Sequence, residues 1–204
     1  MSPTYVSTIH VVRLDYKWPG HDSIQRNTIQ LVQNAVTGPE GPVFGIGNAG
    51  NPNTASNEEI QKMTFEQWNS SFEATTPVTE RAEIADEEKE TIFKEGKKRF
   101  NKLYSLLLND VLVVMIPKHG VVGVGLVSRT AFVGSKLADS DPFSHQVGMT
   151  WLVEPRVESG QFVSLMKFQQ VQRMLNNQPP LATINSHINQ EAARRLLAAL
   201  LLLA

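Results

Sequence analysis

The residues of this sequence that can carry chemistry do not gather into a catalytic pattern. Five histidines are scattered with no pair at metal-ligand spacing, and there is no cysteine, which excludes thiolate zinc sites and disulfides. No P-loop, no dinucleotide fingerprint, no GxSxG and no HExxH occurs. The GxG of VVGVGLV lies inside a strand-like run and opens no helix. A nuclease needs a carboxylate cluster with a lysine to hold a metal and position a water. DSDPF offers two aspartates in a loop without a strand-borne partner, and EIADEEKE reads as a helix start whose acids complement the dipole. The expectation is a chain with no catalytic residue, no metal and no cofactor, whose useful side chains are those that bind.

The elements that must position them follow from periodicity and punctuation. YVSTIHVVRLDY (5–16) is β-branched and partly alternating, a first strand broken by the Trp-Pro-Gly turn of KWPGHDS. Ile24, Thr28, Leu31, Val32 and Ala35 share one face of a helix that TGPEGP stops. VFGIG is a short strand followed by the polar loop NAGNPNTAS; Ser56 or Asn57 then caps a helix anchored by Ile60, Met63, Phe65 and Trp68. A charged helix through EEKETIFKEGKKRFNKLYSLLL buries Ile92, Phe93, Phe100, Leu103, Tyr104 and Leu107, with Gly96 as a point of weakness. Asn109 and Asp110 close it, asparagine being tolerant of the left-handed conformation found at helix ends.

Two apolar runs, Val111–Pro117 and Gly120–Val133, then form a hairpin. Gly123 and Gly125 remove side chains from the second strand, permitting a bulge or a close backbone approach. SKLADSDPFSHQ is a loop holding Asp141 and His145, and VGMTWLVEPRV is a further strand. Ser164 caps a helix through SLMKFQQVQRML, and a last helix begins near Ser186. The expected fold class is α+β: a small, mixed, bent β-barrel with surrounding helices and a C-terminal helical segment. Residues 1–160 would form the main domain and 161–204 an appendage packed on it or mediating assembly.

Length and charge set the remaining bounds. With 204 residues the chain can bury a real core, and a formal charge of −1 creates no global field toward nucleic acid or membrane. The N-terminus lacks a charged segment followed by an apolar one, and the terminal LLAALLLLA is too short to span a bilayer. The expected setting is cytoplasmic, away from the membrane.

The order of a first strand, Trp-Pro-Gly turn, helix, VFGIGNAGNP strand and loop, and then FNKLYSLLLNDVLVVMIPKHGVVGVGLVSRTAFV resembles the PUA-like superfamily. It is most similar to the EVE-like domains at the N-termini of modification-dependent restriction proteins. Phe100, Asp110, Val111, Val113 and Val114 match one part of the family pattern, and Gly120, Val121, Gly123, Gly125, Val127 and Phe132 the other. The resemblance covers Tyr5 to about Val153. Asn109 stands where those domains usually have glycine, and GIGNAGN where they often carry an aromatic residue.

The resemblance implies a pocket for a flipped base, methylated in DNA or placed in RNA. Trp18, held by Pro19 and Gly20, would stack or wedge; otherwise it covers the barrel end. Asn48 and Asn51 would read a base edge, a carboxamide offering donor and acceptor, or serve as turn residues. Phe132 and Trp151 would line the pocket, although both also suit a core, and for Trp151 the core is favoured. Lys118 and His119 at the hairpin tip, with Arg129 and Lys136, would contact phosphates, as would Lys97, Lys98 and Arg99 if they are not simply a solvated face.

The implied function is a non-enzymatic specificity module of a prokaryotic restriction or defence system, reading a modified base by base flipping. A nuclease or NTPase, as partner or fused domain, would cut. The alternatives are an RNA-binding PUA-like protein, or an assembly protein that forms a homo-oligomer through its leucine-rich C-terminal helix. Ala192, Ala193, Leu196, Leu197, Leu200 and Leu201 lie near one face of that helix.

Overall fold

The computed structural model describes residues 7–14, 42–46, 56–75, 84–117, 119–134, 145–159, 161–176, 184–185 and 188–204. Among them run β1 (Ile9–Arg13), β2 (Val43–Ile46), α1 (Asn57–Lys62), α2 (Phe65–Thr75), α3 (Asp86–Tyr104), β3 (Val111–Ile116), β4 (Gly120–Val133) and β5 (His145–Val153). The short β6 (Val157–Glu158), β7 (Gln161–Phe162) and β8 (Met166–Lys167) lead to α4 (Phe168–Met174), β9 (Ile184–Asn185) and α5 (Gln190–Leu202). The class is α+β. The main sheet has the order β2-β5-β4-β3-β1-β9, with β8 added to β4. β1 and β3 are parallel and the other pairs antiparallel. Among the described residues no pairing joins the β2 and β9 edges, and the sheet they form is open.

The sheet is buried on both faces. Leu112, Val114 and Ile116 of β3 lie in one apolar cluster with Phe100 and Leu103 of α3, while Val111, Val113 and Met115 lie in a second with Val171 of α4, Leu175 at its C-cap, and Ala192, Ala193, Leu196 and Leu200 of α5. That is why VLVVMI is a continuous apolar run: a strand covered on both sides has no solvent face to alternate toward. Each buried branched side chain contributes roughly 1.5–3 kcal/mol. Residues 161–204 thus supply two strands of the sheet and the helices over its second face. Gln190 docks α5 on β1 by accepting the Ile9 amide at 2.9 Å and donating to the Ile9 carbonyl at 3.0 Å.

Several elements differ from the sequence expectation. The helix from Ser56 is two: Ser56 and Glu59 form a capping box for α1, and Thr64 and Gln67 bond reciprocally at the start of α2. Gly96 does not break α3; it is buried within the helix. Ser164 caps no helix, because its hydroxyl donates to the His119 carbonyl and Met166–Lys167 pair with β4 before α4 begins. The last helix, expected to begin near Ser186, is capped by Asn189 through two amides. Leu107 is 49% exposed and not in the α3 stripe, since α3 ends at Tyr104 and the chain turns away. No helix among the described residues is long and apolar enough to cross a membrane.

Candidate functional site

β4 does not keep a strand's two-residue period along its length. Val127, Arg129 and Phe132 lie opposite Met149, Gly148 and Gln146, so β4 carries an extra residue in each interval. Two bulges of this kind change the phase of the strand. Arg129 and Phe132, three apart, would face opposite ways on a regular strand; here the Arg129 guanidinium lies 3.6 Å above the centre of the Phe132 ring. Gly148 makes the approach possible, since a Cβ there would stand 2.8 Å from Arg129 Cβ. Ser128, Arg129 and Thr130 are exposed, Phe132 half-buried. A residue expected to stack a base and one expected to meet phosphate are thereby joined in one cation–π pair, an attraction worth ~0.5–1 kcal/mol at an exposed site.

Trp151 lies opposite Gly125 on β5. Its ring is 3.0 Å from where a Cβ on Gly123 would stand and 3.7 Å from one on Gly125. The two glycines therefore make room for this indole, with Pro155 beside it, so the group that closely approaches the backbone here is the Trp151 ring. Trp151 is half-buried, and its Nε1–H is shielded from solvent with no acceptor among the described residues.

The basic residues divide. Lys97 Nζ donates to the carbonyls of Gln61 and Met63, both at 2.8 Å, and sits 4.7 Å from the Phe93 ring centre. It closes the C-terminal end of α1. Lys98 is paired with Glu95 at 2.7 Å, and Arg99 is exposed on the same helix. His119 is turned inward: its Nε2 bonds the Phe162 carbonyl at 2.8 Å, tying the hairpin tip to β7. Trp18, Asn48, Asn51, Lys118, Lys136 and Asp141 lie outside the described residues.

Two buried polar pairs were not anticipated. His145, read as a loop residue, begins β5 and is wholly buried, with Tyr104 Oη 3.0 Å from its Nδ1 and Phe100 edge-on at 4.6 Å. Burial lowers the His145 pKa and raises that of Tyr104. His10 Nε2 meets Asp110 Oδ2 at 3.1 Å, and burial lowers the His10 pKa despite the carboxylate. A signal was present for Asp110, an acid set between a leucine turn and an apolar strand, because a buried acid must find donors. Nothing local marks His145. Among the described residues no group of three histidines or acids could hold a metal. Comparisons with protein-family models, curated proteins and solved structures give no match for this chain.

Proposed function

We propose that this chain is a nucleic-acid-binding module of PUA-like, EVE-like type, with its strands completing a bent barrel, that reads a modified base in DNA by extruding it. The observation that carries the reading is the Arg129–Phe132 pair, a guanidinium stacked on a phenyl ring at the exposed end of β4. Extrusion costs a few kcal/mol, and stacking on an aromatic or guanidinium plane returns about 1–3 kcal/mol per base. Arg129 offers a guanidinium plane already stacked on an aromatic ring. With a net charge of −1, affinity would depend on few local cations and show a shallow salt dependence. Catalysis would belong to a nuclease or NTPase partner or fused domain, as in a restriction or defence system.

Fluorescence anisotropy at one fixed salt tests the reading. The probes are matched duplexes that are unmodified or carry 5-methylcytosine, 5-hydroxymethylcytosine or N6-methyladenine, together with single-stranded RNA. The expected result is a preference of at least about tenfold, ~1.4 kcal/mol, for one modified duplex, lost in Arg129→Ala and Phe132→Ala. A preference for RNA transfers the module to RNA, and no binding to any probe removes the reading.

A second reading, assembly through α5, is favoured by the exposure of Leu201, Leu202 and Leu203, of which Leu202 is 88% exposed. It requires a concentration-dependent oligomer in sedimentation that Leu202→Ser dissolves.

A further inference from the structure

We draw no further inference here: the strongest candidate, the turn between α3 and β3 that exposes the apolar side chains of Leu107 and Leu108, carries none because nothing in the structure shows what covers it.

Discussion

The imidazole of His10 and the carboxylate of Asp110 meet at 3.1 Å with both side chains almost wholly buried. The same carboxylate accepts the amides of Thr8 at 3.0 Å and Leu107 at 2.9 Å. One acid therefore joins the entry of β1, the turn after α3 and the start of β3, whose strands run parallel from Ile9 opposite Val111. Asp110→Asn places an amide that itself needs acceptors among these donors. A buried donor left unsatisfied costs ~1–3 kcal/mol, so the variant is expected to lose about 3 kcal/mol in urea unfolding at unchanged m. A loss below about 1 kcal/mol, the net worth of one ordinary hydrogen bond, would show that the turn holds without the acid.

Acid should destabilise this fold before its carboxylates titrate. His10 and His145 both have pKa values lowered below 6.5 by burial. Above 6.5 both are neutral folded and unfolded, and their burial costs nothing in protonation. As pH falls through 6.5 the unfolded chain takes up protons that the folded chain refuses. Stability is therefore full above 6.5 and declines toward the lowered folded values. Thermal midpoints taken from pH 7.5 to 5.5 (values on the order of a unit either side of the histidine pKa) should fall, and the slope should lessen in His145→Phe. A midpoint flat over this window would contradict the burial of both rings.

The two glycines beneath Trp151 are not equivalent. A Cβ on Gly123 would stand 2.9 Å from Pro155 Cγ, 3.0 Å from the indole and 3.0 Å from the Val153 carbonyl, whereas one on Gly125 meets nothing closer than 3.4 Å. Gly123→Ala should cost ~1–3 kcal/mol as overpacking and shift the tryptophan emission, while Gly125→Ala should leave both within about 0.5 kcal/mol of wild type. Equal effects at the two positions would mean that the indole does not lie across them.

Lys97 and Arg129 separate structure from binding. Lys97→Met keeps the apolar stem and removes the two bonds that close α1. It should cost about 1.5–3 kcal/mol, the range for hydrogen bonds to a charged group, and leave the salt dependence of nucleic-acid binding unchanged. Arg129→Ala should do the reverse, with stability near wild type and a salt slope reduced by about 1. A Lys97→Met variant that folds normally but binds with a shallower slope would assign a phosphate contact to α3.

Much of this was legible in the residues themselves. The β3–β4 run, the Ser56 cap, the left-handed Asn109, the Phe100–Leu103 stripe and the buried face of α5 all rest on periodicity or capping, which a short window contains. Other features depended on partners far along the chain. Leu107 continues the helical stripe in sequence, but it falls outside the core because α3 ends at Tyr104, where Asp110 draws the backbone into a turn. His145 looks like loop until β2 and β4 pair on either side of it. Lys97 reads as one charge in a basic run, yet its partners are carbonyls 34 and 36 residues away. Arg129 and Phe132 share a face only because β4 carries one extra residue between them where it pairs with β5. A local pattern specifies a period; the phase of that period, and what stands opposite each residue, is decided by long-range strand pairing, and this is why the elements were readable in sequence while the stacked pair needed the tertiary structure.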